Sequence, residues 1–147
     1  LHARRVFAAA ADGRGAAGPE EQASRRRALA CLGAGLVAYV GVAHEVVGTT
    51  LFPYAPAVFG GPIPFHAVGV AGIVTGLLMV AGTLGLVRVP LVPLGVVLGA
   101  LGAAIFVLTA GRYGDFHLFA LTLSLAGLLV AVASRERRTL PARPGVA

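Results

Sequence analysis

RRRALACLGAGLVAYVGVAHEVVGTTL, residues 25–51, is the stretch that decides the fold. Three arginines give way to an apolar run, Ala28 to about Leu51, interrupted only near its far end by His44 and Glu45. A helix rises about 1.5 Å per residue, so roughly 20 apolar residues cross a hydrocarbon core about 30 Å thick. Lipid offers no water to an unpaired N–H or C=O, so a run of this length is predicted to be helical.

Three more runs of the same kind follow, at about 65–87, 91–110 and 116–134. The expected fold is all-α: an integral membrane four-helix bundle made of two transmembrane hairpins. Residues 1–27, rich in Ala, Gly and Arg, are expected to be a flexible cytoplasmic tail. Residues 28–134 form the transmembrane domain, and 135–147 a second cytoplasmic tail. Pro90 and Pro93 mark the start of the third helix, and Gly111 to Asp115 reads as a tight turn. The longest link, Phe52 to Pro64, holds four prolines and no Lys, Arg, Asp or Glu. It reads as an ordered interfacial loop.

Composition agrees. The chain is 57% hydrophobic and 12% charged, against about 25% charged in a soluble domain. The 12 basic residues, all arginines, outnumber 6 acids for a net charge of +6. They sit in the tails and at the ends of apolar runs, which points away from nucleic acid. The single cysteine, Cys31, excludes an internal disulfide, a CxxC redox pair and a thiolate metal cage.

Arginine placement orients the chain. Arg4, Arg5, Arg14, Arg25, Arg26 and Arg27 precede the first helix, Arg88 lies in the second link, and Arg135, Arg137, Arg138 and Arg143 follow the fourth helix. Only Arg112 falls on the opposite side. The positive-inside rule then places both termini in the cytoplasm and the chain as a multi-pass protein of the cell inner or plasma membrane. Arg25–Arg27 ahead of Gly41-Val42-Ala43 also has the form of a signal peptide. Continuation of the run to Phe52 favours a retained helix.

Small residues form stripes: Gly41 and Gly48 in helix one, Gly69, Gly72 and Gly76 in helix two, Gly95, Gly99 and Gly102 in helix three, Ala120, Ser124, Gly127 and Ala131 in helix four. Such stripes let helices approach closely, either within one bundle or across an oligomer interface.

The polar residues carry the functional expectation. A carboxylate inside a span is costly and faces the bundle or a watery cavity, so Glu45 and its neighbour His44 are expected to point inward. His66 opens helix two, and Asp115 and His117 open helix four; with two hairpins all of them fall on the outer side. Phe52, Tyr54, Phe59, Phe65, Tyr113, Phe116 and Phe119 join them there, as an interfacial belt or as the walls of a pocket. Glu45, His44, His66 and His117 are therefore the candidate ligand- or ion-binding residues, and the candidate set for a metal such as Zn, Cu or Fe. A proton relay or cation-coupling site at Glu45 and His44 is the other reading. Asp115 is read as the N-cap of helix four. No motif identifies a cofactor. The expected partners are the lipid bilayer and either a second copy or a membrane-complex subunit. A role as an accessory subunit and an intramembrane enzyme acting on a lipophilic substrate complete the functional expectations.

Overall fold

Helix formation begins well before the apolar run. The computed structural model describes residues 18–46, 60–109 and 116–135. Its first helix, α1, spans Pro19–Val46. Residues 19–27, expected to belong to the flexible tail, are instead its first turns. Proline suits the first helical position, where no N–H partner is needed. Glu20 and Glu21 meet the positive end of the helix dipole, and Glu21 stands four residues before Arg25. The Gln22 N–H donates to the Gly18 carbonyl at 2.9 Å. At 1.5 Å per residue α1 is about 42 Å long, so its arginine-bearing end extends beyond its apolar part. The expected continuation to Leu51 lies outside the described residues.

The second helix, α2, spans Pro62–Leu84, three residues earlier at each end than the apolar run suggested. Pro62 and Pro64, expected in the link, sit in its first turn behind Gly61, whose φ of 134° favours glycine. At the other end Gly85 turns left-handed at φ 81°. The Leu86 N–H reaches the Ala81 carbonyl at 2.9 Å and the Gly85 N–H reaches Gly82 at 3.2 Å. This is a Schellman stop, and it ends the helix before Leu86 and Val87. Helix α3, Leu91–Thr109, and helix α4, Phe116–Arg135, lie within a residue of the expected bounds. No strand occurs among the described residues, and all four helices are long and apolar enough to cross a membrane.

The glycine stripes are where the helices meet. A Cβ added to Gly41 would lie 2.5 Å from the Ile73 nitrogen, while Gly76 faces Ala38. Early residues of α1 thus oppose late residues of α2, and the two run antiparallel. A Cβ on Gly95 would meet Gly127 and Ala131, and one on Gly102 would meet Ser124 and Ala120, so α3 and α4 also run antiparallel. Gly33 rests against Ala126 and Val130 of α4. The Ser124 hydroxyl donates to the Gly99 carbonyl at 3.0 Å, tying α3 to α4. In contrast α2 and α3, although consecutive, scarcely touch. The four helices therefore close around three sides and leave a seam on the fourth.

Size is sorted inside out. Much of the buried set is small, including Ala30, Ala34, Ala120, Ala126 and Ala133. Large side chains such as Leu77, Val97, Val107, Leu118 and Val132 point outward. That is the pattern expected where the solvent is lipid and close backbone approach, not burial of bulk, holds helices together.

The two ends of the bundle also differ. All the described arginines, Arg25, Arg26, Arg27, Arg88 and Arg135, fall at the end where α1 and α3 begin and α2 and α4 finish. The main core lies toward this end, built from Ala34, Val37, Met79, Leu91, Ala126 and Val130.

Candidate functional site

The opposite end gathers the described histidines, His44, His66 and His117, with Glu45. Measured from Arg27 along α1, Glu45 lies about 27 Å away, a distance close to the thickness of a hydrocarbon core of about 30 Å.

His44 and Glu45 are successive residues and diverge by about 100° around α1. Glu45 turns toward α2. Its carboxylate lies over Gly69, so that any Cβ there would collide with it. One turn earlier on α2, His66 Nδ1 and Glu45 Oε2 share a hydrogen bond of 2.6 Å. The pair is half-open: the His66 side chain is 50% exposed and that of Glu45 22%. The glycine at position 69 makes the geometry possible, because it leaves a slot on the helix surface that the carboxylate fills.

His44 turns into the bundle and is only 7% exposed. Its ring stacks on Phe65 with centroids 4.0 Å apart and planes 25° from parallel. Phe65 is itself fully buried and also meets the His66 ring edge-on at 5.7 Å. One phenyl ring thus braces both imidazoles.

Below and beside His44 the helices enclose space. A cavity of about 260 Å³ is bounded by Val37, Val40 and His44 of α1, Thr75 of α2, and Leu98 and Leu101 of α3. A smaller lobe of about 80 Å³ shares His44, Val40 and Leu101 and reaches Ile105 and Phe119. His44 stands at the junction of the two. Among the described residues no Arg, Asp or Glu lines either lobe.

Of the four candidate ligand residues, the structure brings Glu45 and His66 into direct contact and sets His44 next to them on the cavity side. His117 stands apart. Its ring lies 4.9 Å from Phe106 of α3, and it lines neither lobe. No group of three or more His, Cys, Asp or Glu side chains able to hold a metal ion is present among the described residues. The four-residue metal set expected from the sequence is therefore not assembled, because α4 carries His117 to the α3 side of the bundle while His66 faces α1. Asp115 and the expected N-cap lie outside the described residues, as do Phe52, Tyr54, Phe59, Tyr113 and the side chain of Phe116.

Three features escaped the sequence reading. Phe65, which the sequence allows as part of an aromatic belt or as a pocket wall, is a buried brace for His44. Gly69 was counted as a packing glycine but accommodates the carboxylate; its position three residues after His66, on the same helix face, was the available signal. The cavity has no sequence signature, since it arises from the separation of α2 and α3. No known family, curated protein or solved structure matches this chain. The functional reading thus depends on the geometry alone.

Proposed function

We propose that the chain is a small multi-pass protein of the cell inner or plasma membrane, with two hairpins and both termini cytoplasmic, that exchanges a proton or small cation at its outer end through Glu45 and His66. The observation that carries the reading is the 2.6 Å contact between these two side chains, held over Gly69 at the end of the bundle away from the arginines. A carboxylate and an imidazole in contact can pass one proton between them with little movement, and an intramembrane carboxylate is by default a candidate ion or proton site. Arginine distribution supports the orientation.

Dicyclohexylcarbodiimide, which adds to protonated carboxyls in apolar surroundings, tests the proposal in the full chain reconstituted into vesicles. Glu45 is expected to be modified, and His66→Gln is expected to change the rate of modification. A rate indifferent to His66→Gln would reduce the pair to a structural contact.

A second reading, a subunit of a larger membrane complex, draws on the open seam between α2 and α3. It predicts a partner or second copy that co-purifies in mild detergent and cross-links to Ala71 or Leu101 replaced by cysteine. Isolation as a monomer with ion exchange intact would count against it.

A further inference from the structure

The cavity beneath His44 is separate from the Glu45–His66 pair and calls for a different ligand. Its walls are aliphatic side chains of all four helices, and His44 and Thr75 are the polar side chains among them. The other described threonines for which a hydroxyl bond is seen turn back onto their own helices: Thr83 bonds to Met79, Thr109 to Ile105 and Thr122 to Leu118. Thr75 instead borders the cavity.

We propose that this cavity is a binding site for a neutral amphiphile: one hydrogen-bonding head group, a hydroxyl or carbonyl, carried on an apolar body of roughly eight to ten carbons. Four observations select that occupant. The volume of about 260 Å³ exceeds the roughly 150 Å³ of an engineered apolar cavity that takes up benzene. From Val37 to His44 the cavity runs about 10 Å along α1, the length of such a chain. No charged side chain lines it among the described residues, so neither an anion nor a cation finds a counter-charge, and Glu45 is directed away onto α2. The imidazole lies at the outer end, where a head group entering from the membrane surface would rest, and its stacked face is covered by Phe65. His44 lines both lobes, so its imidazole is within reach of a head group held there. The seam between α2 and α3 supplies the entrance, and it opens toward lipid. Leu101, which borders both lobes, is 49% exposed.

A photoactivatable diazirine analogue of decan-1-ol, compared with the matching diazirine decane, tests this with the full chain in phosphatidylcholine nanodiscs. The alcohol is expected to label Val40, Leu98 and Leu101 about fivefold more than the alkane, the net worth of one hydrogen bond, and excess unlabelled decanol is expected to compete. His44→Phe, which keeps a ring on Phe65 but removes the nitrogens, is expected to bring alcohol labelling down to the alkane level. Ala71→Phe, at the cavity wall, is expected to lower labelling by both probes. Equal labelling by the two probes in the unmodified protein would overturn the proposal, since the cavity would then hold bilayer chains without selection. Labelling at those positions that decanol does not compete, as when a partner helix covers the seam, would overturn it equally. Both readouts use the unmodified chain, so they decide the matter even where a variant fails to fold. Glu45→Gln is expected to leave the alcohol preference intact, so failure here is distinguishable from failure of the ion-exchange reading.

Discussion

The half of the bundle at the arginine end and the half at the histidine end are built from the same kinds of residue to opposite effect. Toward the arginine end Ala34, Val37, Met79, Leu91, Ala126 and Val130 close on one another. Toward the histidine end the same four helices separate α2 from α3 and leave a cavity beneath a braced imidazole. Glycines permit both outcomes. Where a glycine faces backbone, as Gly41 faces Ile73 and Gly102 faces Ser124, it brings two helices together. Where it faces a functional side chain, as Gly69 faces Glu45, it makes room for chemistry. Both halves are held by glycines that face backbone, and the histidine end also leaves room for a site.

The largest expected effect tests the cohesive glycines. Gly41→Leu drives a side chain into the α2 backbone and is expected to cost at least about 3 kcal/mol, read as loss of folded protein in a denaturing-detergent titration. Gly35→Leu, on the same helix with nothing within 4 Å of its added Cβ, is expected to change stability by less than about 0.5 kcal/mol. Similar losses at both sites would break the distinction between packed and free glycines.

Next comes the contrast between the closed core and the open cavity. Met79 is fully buried, and Met79→Ala is expected to lose about 2 kcal/mol through the hole it leaves. Leu101→Ala, at a wall already half open, is expected to lose under about 1 kcal/mol in the same titration. The reverse order would place the stabilising core at the wrong end.

A smaller effect is expected from Gly69→Ala. The new methyl displaces the Glu45 carboxylate and is expected to cost about 1 kcal/mol, the value of one hydrogen bond, while making carbodiimide labelling of Glu45 insensitive to His66→Gln. The smallest belongs to Ser124→Ala, which removes the bond to Gly99. Interhelical bonds in membranes average about 0.6 kcal/mol, so only a slight lowering of the detergent midpoint is expected.

Much of this was legible in the sequence because the bilayer constrains so strongly. Four apolar runs of spanning length admit only helices, and the third and fourth were placed within a residue. The first and second were misplaced at their ends, where caps and not hydropathy decide. Pro19 with Glu20 and Glu21 starts α1 inside a polar stretch, and the left-handed Gly85 stops α2 within an apolar one. The polar cluster was legible as a set of residue types at one end. Its pairing was not, because hydropathy places a residue in depth but not around the helix axis. Glu45 and His44 are adjacent in sequence yet serve different neighbours, and His117, at a similar depth to His66, faces Phe106 instead of the carboxylate. Helix separation depends on the relative tilt of α2 and α3, which no local pattern encodes.

The pairing of Glu45 with His66 as one unit at the histidine end is tested most directly by the nitrogen-15 spectrum of the histidine side chains in lipid bilayers, recorded for the unmodified chain and for Glu45→Gln. The His66 Nδ1 signal is expected to carry the mark of a short bond to a carboxylate and to move when that carboxylate becomes an amide, while the His117 signals stay in place. A His66 signal unchanged by Glu45→Gln would contradict the pairing and, with it, the proposed function.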